Sequence, residues 1–241
     1  MTLPRAILLA AGSAQRLRPL TDAVPKCLLD VGGRSIVSRA VSILAAQGIT
    51  RITVVDGFEG DRLRGALTSE FPPDWFDFRR NAEYADTNNA FSLRLALSGV
   101  DEPILLLDAD VLFDAAVVRL LMDDSRANRL AVRTRGALGE EEMKVSVAGD
   151  GRIEDVGKRI SGRAHGESVG LAIFSAAFVR RLLPVLERRL VAEGRVDEWY
   201  ESAFLELIAG GESVYAIDIG DLRAIEVDTK EDLEEARRLF S

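Results

Sequence analysis

The sequence predicts a doubly wound, Rossmann-like α/β fold, in which helices cover both faces of a mostly parallel sheet. Short apolar segments of strand character alternate with segments of helical periodicity, which is typical of parallel sheets. A loop of small residues follows the first predicted strand, and aspartates follow two later ones. Because open α/β sheets bind ligands beyond the carboxyl ends of their strands, these features also predict a ligand site there.

The first half of the chain supplies the alternating elements. A helix is predicted to begin after Ser35, a favourable cap, and to stop at Gly48. Further helices are predicted at 63–67, 89–97 and 114–122, and strands at 5–10, 51–55, 76–80 and 104–107. Of these strands, 51–55 is β-branched and 104–107 is the most apolar.

The second half is predicted to add a small hairpin and helical insertion. Residues 143–147 and 152–156 flank a glycine-rich turn, a pattern typical of a β-hairpin. Strands are predicted at 169–174, 214–217 and 223–227, helices near 176–191 and 198–208, and a last helix capped by Thr229. We expect one domain, 1–241, made of three segments that span residues 1–135, 136–222 and 223–241.

Composition excludes several classes of protein. The chain has 241 residues and a formal net charge of −8, which argues against a general nucleic-acid binder. Its one cysteine, Cys27, excludes a disulfide framework and is interpreted as buried packing, and its one histidine, His165, excludes a polyhistidine metal site. Apolar runs are too short for a membrane span or an export signal, so we expect a cytoplasmic protein without a membrane partner.

A predicted phosphate-binding loop follows the first strand. Its small side chains let backbone amides approach phosphate oxygens; they are Leu9, Ala10, Ala11, Gly12, Ser13 and Ala14. Arg16 can bind phosphate through two parallel hydrogen bonds, and Lys26 follows the rigid Pro25. Residues 1–40 carry a net charge of +4 and the remainder −12, which suits a small polyanion. Taken alone, a surface loop with solvated arginines fits about equally well.

Aspartates at two strand ends predict a magnesium site. Asp108 and Asp110 follow the most apolar strand, and Asp228 follows a strand late in the chain. Magnesium prefers hard oxygen ligands, often one or two carboxylates together with substrate phosphates. Considered singly, each aspartate is more often a turn residue or a helix cap, and Asp228 directly precedes the last predicted helix.

Together these motifs resemble the signature of nucleotidyltransferases that activate phosphorylated sugars and alcohols. The resemblance runs through 9–12, 16–21, 25–26, 28–29 and 32–33. It implies a nucleotidyltransferase-type fold in which residues 1–135 bind a triphosphate, with Arg16 and Lys26 holding the phosphates as catalytic groups. It also implies that Asp110 and Asp228 bind Mg²⁺, while Asp108 supports the nucleotide loop. Ala14 stands where the family commonly has a second glycine, and alanine adopts positive φ angles less readily than glycine does.

The segment containing Asn88 and Asn89 is the predicted base-recognition site. Their amides can pair with a base edge, although, taken alone, capping of the following helix by Thr87 or Asn88 is the favoured interpretation. This segment, with 142–145, 157–160, 166–170 and 220–222, resembles bacterial choline-phosphate and phosphonate cytidylyltransferases. The resemblance implies that residues 136–222 bind the acceptor. Lys144 and Lys158 are the candidates for binding its phosphate or phosphonate group. The candidates for binding its ammonium group are Glu167, Trp199 and Tyr200. Without the resemblance, solvated hairpin lysines fit about equally well, and helix packing is the favoured interpretation of Trp199 and Tyr200.

The sequence therefore predicts a magnesium-dependent cytidylyltransferase. It would transfer CMP from CTP to a small phosphomonoester or phosphonate, of the phosphocholine or 2-aminoethylphosphonate type, and release pyrophosphate. The alternatives are a sugar-1-phosphate or inositol-1-phosphate nucleotidyltransferase, and a catalytically silent nucleotide-binding subunit. The expected partners are CTP and the small acceptor, without nucleic acid, and the formation of a homodimer is left open.

Overall fold

The structure, a computed structural model, describes residues 3–136 and 138–241. Its helices are α1 (Ile36–Ala46), α2 (Gly60–Glu70), α3 (Asn89–Leu97), α4 (Ala115–Asp123), α5 (Ala176–Glu187), α6 (Glu201–Ala209) and α7 (Lys230–Phe240). Its strands are β1 (Arg5–Ala10), β2 (Asp30–Val31), β3 (Arg34–Ser35), β4 (Ile52–Asp56), β5 (Phe76–Arg80), β6 (Ile104–Asp108), β7 (Val111–Phe113), β8 (Arg129–Arg133), β9 (Lys144–Val147), β10 (Ile153–Gly157), β11 (Gly166–Phe174), β12 (Tyr215–Asp218) and β13 (Ala224–Glu226). Single 3₁₀ turns span Gln15–Leu17, Lys26–Leu28 and Pro73–Trp75, and a π-helical turn, Arg188–Ala192, follows α5.

A central mixed sheet brings the predicted strand ends to one edge. The strand order is β10-β9-β11-β6-β1-β4-β5, and β8 pairs with both β11 and β12. The strands β6, β1, β4 and β5 are parallel, with Leu9 opposite Asp108 and Ala10 opposite Asp56. The long strand β11 runs antiparallel to its three neighbours, and β9 and β10 form the predicted hairpin. The predicted largely parallel α/β fold is confirmed.

Helices cover both faces of this sheet because side chains of a strand alternate between the two faces. Leu8 of β1 packs into a core with apolar residues of α1, α2 and α4. Its neighbour Ile7 points to the opposite face and packs with residues of α3, α5 and α6. Cys27 is 3% exposed and belongs to the first of these cores, so its interpretation as a packing residue is confirmed.

A small antiparallel ribbon joins the end of the chain to the segment after β6. Strand β13 pairs with β7, so that Glu226 lies opposite Val111, and the Val227 amide donates to the Asp110 carbonyl over 3.1 Å. The helix α7 starts with the predicted capping box, in which the Thr229 hydroxyl accepts from the Asp232 amide and the Asp232 carboxylate accepts from the Thr229 amide. This ribbon holds residues 226–228 beside Asp110.

The three segments into which we divided the chain share one sheet. The hairpin β9-β10 extends the sheet through β11, whose second half pairs directly with β6 of the first segment. The division into nucleotide-binding and acceptor-binding segments therefore stays a prediction about function. In the portion of the chain that the structure describes, no helix combines the length and apolar character that crossing a membrane requires.

Asp56, at the end of β4, makes a buried ion-pair cluster that we expect to stabilise the fold. Its side chain is fully buried, and its carboxylate accepts from the Arg64 guanidinium at 2.6 Å and from the Arg80 guanidinium at 3.1 Å. We expect Asp56→Ala to lower the free energy of unfolding by about 3 kcal/mol, the lower end for breaking a buried pair, because both arginines can still reach solvent. Urea denaturation monitored by circular dichroism measures this.

Asp61 provides the matched control for that substitution. It pairs with the same Arg80, but its side chain is 88% exposed. Asp61→Ala should change the free energy of unfolding by no more than about 0.5 kcal/mol, as for an exposed pair. Equal losses for the two variants would show that burial of Asp56 contributes nothing.

Candidate active site

A cavity of about 290 Å³ opens at the carboxyl ends of β1 and β6, where the sequence predicts a ligand site. Parallel strands end at one edge, so the loops that follow them meet there. The cavity is lined by residues from both halves of the chain: Leu9, Ala11, Gly12, Arg16, Lys26, Asn81, Tyr84, Thr87, Asn88, Asn89, Ser92, Asp108, Asp110, Glu141, Met143, Lys158, Ser168, Gly170, Trp199, Tyr200, Glu201, Glu226 and Asp228. Its lining is rich in charged and hydrogen-bonding groups.

The predicted phosphate loop forms one wall of this cavity. Leu9, Ala11 and Gly12 line it, whereas Ala10 and Ala14 line a smaller adjoining recess of about 100 Å³. Ser13 lies in the same loop but lines neither space. Ala14 takes a left-handed conformation, φ 46° and ψ 54°, and its carbonyl accepts from the Thr21 hydroxyl at 2.9 Å. The loop thus reaches a backbone region that favours glycine although it carries alanine.

Lys26 lies between the two aspartates that we predicted as metal ligands. Its ammonium group is 2.6 Å from the Asp110 carboxylate and 2.6 Å from the Asp228 carboxylate. Burial alone would lower the pKa of Lys26, but these two carboxylates outweigh burial and raise the pKa above its usual value. Arg16 donates to the other Asp228 oxygen at 2.5 Å. The predicted catalytic residues and the predicted metal residues therefore form one cluster.

A third carboxylate, which the sequence analysis did not identify, joins Asp110 and Asp228. Oxygens of Asp110, Glu226 and Asp228 lie within 4.8 Å of one another. Among the described residues, Asp110 Oδ1 is buried and has no hydrogen-bond partner. Three hard oxygen donors, one of them buried and unpartnered, fit a divalent cation such as Mg²⁺. Glu226 could have been identified from the sequence, because it lies two residues before Asp228 and side chains two residues apart in an extended chain point to the same side.

Burial and neighbouring charges perturb the pKa of the carboxylates in and beside this cluster. Burial raises the pKa of Asp108, and the charge of Asp110 adds to that effect. Glu226 is exposed to solvent on one side, and the protein atoms packed around the rest of it, followed by the charges of Asp110 and Asp228, raise its pKa above the usual value. Burial acts to raise the pKa of Asp228, but Lys26 and Arg16 lower it. A bound cation would favour the ionised form of every carboxylate here.

Asn88 and Asn89 connect the cavity wall to the segment before α6. The Asn88 carboxamide oxygen accepts from the Asn89 amide at 2.8 Å, and its nitrogen donates to the Asp197 carbonyl at 3.1 Å. The Asn89 carboxamide oxygen accepts from the Tyr200 amide at 3.0 Å. Both asparagines line the cavity, yet much of their hydrogen-bonding capacity is used within the protein. Their role in reading a base stays a prediction.

Asn81 is a further polar residue of the same wall that the sequence analysis missed. It is 1% exposed, its carboxamide donates to the hydroxyls of Thr87 and Ser92, and its oxygen accepts from the Glu83 amide. Asn81, Thr87 and Ser92 all line the cavity. Its position directly after β5, at the carboxyl edge of the sheet, was the available signal.

The predicted acceptor residues divide between two places. Lys158, Trp199 and Tyr200 line the cavity, and the Lys158 ammonium lies 4.9 Å from the centre of the Trp199 ring. Lys144 instead donates to backbone carbonyls, including that of Lys158 at 3.0 Å. Glu167 is buried in a neighbouring cleft, where it pairs with Arg133. The structure therefore does not bring Glu167 together with Trp199 and Tyr200.

Tyr200 connects the start of α6 to Asp108 at the end of β6. Its ring is buried and its hydroxyl donates to Asp108 Oδ2 at 2.7 Å. Burial raises the pKa of Tyr200, and the nearby Asp108 carboxylate raises it further, so the hydroxyl stays protonated as a donor. Asp108 also lies beside Gly170 of β11. We interpret Asp108 as a residue that is held in place by its neighbours.

We expect Gly170→Ala to disturb this arrangement. Gly170 has a φ of +72°, and a Cβ atom there would lie 3.1 Å from Asp108 Oδ2 and 3.1 Å from Val111 Cγ2. A left-handed alanine costs about 1–2 kcal/mol, and crowding of packed neighbours about 1–3 kcal/mol more. The control is Gly99→Ala, because Gly99 has the same φ of +72° with open space around it. A larger loss of unfolding free energy for Gly170→Ala is expected; equal losses would contradict it.

The fold and the cavity define an α/β protein with clustered basic and carboxylate side chains at the carboxyl edge of its sheet. A family model described as the MobA-like NTP transferase domain matches residues 6–205. The chain belongs to this family and is a nucleotidyltransferase, as the sequence predicted.

Two proteins are similar to this chain in sequence, and a third is similar to it in structure. The CMP-5'-(3-aminopropyl)phosphonate synthase of Streptomyces rubellomurinus is 32% identical over 98% of this chain, which spans only 39% of that protein. The CTP:phosphoglutamine cytidylyltransferase of Campylobacter jejuni is 26% identical, over 95% of this chain and 97% of that protein. The structure of the CTP:phosphocholine cytidylyltransferase of Streptococcus pneumoniae matches with a TM-score of 0.79 at 20% identity, over the whole of both chains. This structural match shows that the Streptococcus pneumoniae protein and this chain share the same fold.

Proposed function

We propose that this chain is a cytidylyltransferase that transfers CMP from CTP to a small phosphomonoester or phosphonate. The observation that carries the proposal is the cluster of Lys26, Arg16 and three carboxylates beside the small-residue loop. Such a cluster can neutralise a triphosphate and hold a divalent cation in one cavity. The choice of CTP is supported by the similar proteins, of which two are described as cytidylyltransferases and one as a CMP-phosphonate synthase.

The proposed reaction is an in-line substitution at the α-phosphorus of CTP. An oxygen of the acceptor phosphate or phosphonate forms a bond to this phosphorus, the bond to the β-phosphate bridging oxygen breaks, and pyrophosphate leaves. The attacking oxygen belongs to a group that is already anionic near neutral pH, so the protein needs no strong general base. Its task is to align two anions and to neutralise their charge.

The residues of the cavity divide this task. Lys26 and Arg16 would donate hydrogen bonds to the phosphates and stabilise negative charge at the α-phosphate. The loop 9–14 would hold the triphosphate, and Asp108 would support this loop. Lys158 would bind the acceptor's anionic group. Asp110, Glu226 and Asp228 would hold Mg²⁺, which supplies further charge neutralisation when bound. Lys144 has no place in this cavity, so we assign it a role in holding the backbone of Lys158.

The experiment that tests the proposal is a screen for pyrophosphate release. Four nucleoside triphosphates are combined with phosphocholine, phosphoethanolamine, 2-aminoethylphosphonate, inositol-1-phosphate and glucose-1-phosphate, in the presence of Mg²⁺. We expect release that requires both CTP and a small phosphomonoester or phosphonate. Release only with sugar phosphates and another nucleotide would favour a sugar nucleotidyltransferase. Absence of release with every pair would overturn the proposal and favour a silent nucleotide-binding subunit.

A further inference from the structure

Glu201, at the start of α6, is a buried carboxyl group that none of the roles above requires. It is 6% exposed, and it lines the same cavity as Lys158, Trp199 and Tyr200. Among the described residues, its Oε2 atom is buried without a hydrogen-bond partner. A buried polar atom without a partner costs free energy, so such atoms commonly await a ligand or another donor.

The surroundings of Glu201 restrict what that ligand can be. Glu201 shares its cavity with the carboxylates of Asp110, Glu226 and Asp228, so a negatively charged ligand group beside it would add to the negative charge already there. A ligand group that donates hydrogen bonds and carries positive charge would satisfy Oε2 and stabilise the ionised carboxylate. This argues for a cation rather than for an anion.

The neighbouring aromatic residue indicates which kind of cation fits. Trp199 lies two residues before Glu201 and is 41% exposed, but the Lys158 ammonium already lies over its ring at 4.9 Å. A quaternary ammonium group has no N–H donors and binds mainly through aromatic faces. A primary ammonium group has three N–H donors and can satisfy an unpartnered carboxylate oxygen directly. The carboxylate therefore matches a primary ammonium better than a trimethylammonium.

We infer that Glu201 binds a primary ammonium group of the acceptor, which makes the preferred acceptors aminoalkyl phosphates or phosphonates. This inference rests on the proposed function and narrows it. It also replaces Glu167, whose charge is used by Arg133, as the carboxylate that receives the ammonium group. Glu201 is thus a specificity-determining residue that contacts the acceptor at the end opposite to its reacting oxygen.

Acceptors that differ only at this end test the inference. We compare kcat/KM with CTP for phosphoethanolamine, 2-hydroxyethyl phosphate, ethyl phosphate and phosphocholine, and repeat the comparison with 2-aminoethylphosphonate and ethylphosphonate. In the wild-type protein, the primary amines should exceed phosphocholine, which keeps the positive charge but has no N–H group to donate to Oε2, and should exceed their amine-free counterparts by about 30-fold or more, as expected when a buried charge pair is lost. In Glu201→Gln this ratio should fall to within about threefold of unity, since the amide keeps the shape without the charge.

Glu206→Gln is the matched control. Glu206 lies on the same helix, but it pairs with Arg188 and Arg189 outside the cavity. This variant should keep the wild-type preference for primary amines.

The outcomes separate the inference from the proposed function. Equal kcat/KM for phosphoethanolamine and 2-hydroxyethyl phosphate, or a preference unchanged in Glu201→Gln, would overturn the inference while leaving the transferase intact. A stronger activity with phosphocholine than with phosphoethanolamine would also overturn it. Absence of CTP-dependent pyrophosphate release with all six acceptors would instead overturn the proposed function.

Discussion

Lys26→Ala is expected to lower kcat for CTP-dependent pyrophosphate release by about 10²–10³, the scale seen when one group that stabilises a transition state is removed. Lys26 is held by two carboxylates at 2.6 Å, so its ammonium group is fixed in position before substrate binds. A fixed charge needs no reorganisation when negative charge develops at the α-phosphate. Steady-state kinetics at saturating CTP, Mg²⁺ and acceptor measures the effect.

The control for this variant is Lys230→Ala, which removes an exposed lysine at the start of α7. It should leave kcat within about twofold, as expected of a surface substitution away from the site. Removing Lys26 also leaves Asp110 and Asp228 without the ammonium group that lies between them, so the fold of the variant must be verified by circular dichroism. Near-normal turnover in folded Lys26→Ala would contradict the catalytic role.

Asp110→Ala is expected to lower kcat by a similar factor of about 10²–10³, for a different reason. Asp110 contributes one of three clustered carboxylates, and its buried Oδ1 atom is the unpartnered oxygen of the cluster among the described residues. Loss of this ligand should weaken the cation site, so that the Mg²⁺ concentration giving half-maximal rate rises together with the fall in kcat. A Mg²⁺ titration of the rate measures both effects.

Asp101→Asn serves as the comparison for Asp110. Asp101 is 72% exposed on its side chain and pairs with Arg180, away from the cavity. Its substitution should leave both kcat and the Mg²⁺ requirement unchanged. If Asp110→Ala kept the wild-type dependence on Mg²⁺, the assignment of Asp110 as a metal ligand would be wrong.

Elements that carry strong local signals could be predicted from the sequence. The strands 5–10 and 76–80 and the helix 89–97 match the structure to the residue, and the caps at Ser35 and Thr229 are confirmed. Strand β7 was missed because it has only three residues directly before the cap of α4, and β8 because its three apolar residues lie between two arginines. The pairing of β7 with β13 joins distant regions of the chain, which local patterns do not encode.

The site could be predicted in part, for a related physical reason. Motif residues such as Arg16, Lys26, Asp110 and Asp228 converge as predicted, since each follows or precedes a recognisable element. The side to which a strand residue points depends on register, and Glu167 of β11 faces Arg133 of β8 instead of the cavity. Glu201 lies in the first turn of α6, where acidic residues are common, so its burial in the folded chain is what distinguishes it.

The β7–β13 ribbon also orders events during protein synthesis. Asp110 leaves the ribosome with the first half of the chain, whereas Glu226 and Asp228 leave it near the end of the 241 residues. Domains generally fold as units, so the three carboxylates cannot come together until residues 226–228 have emerged and β13 can pair with β7. We therefore expect a nascent chain to lack turnover until β13 has left the ribosome.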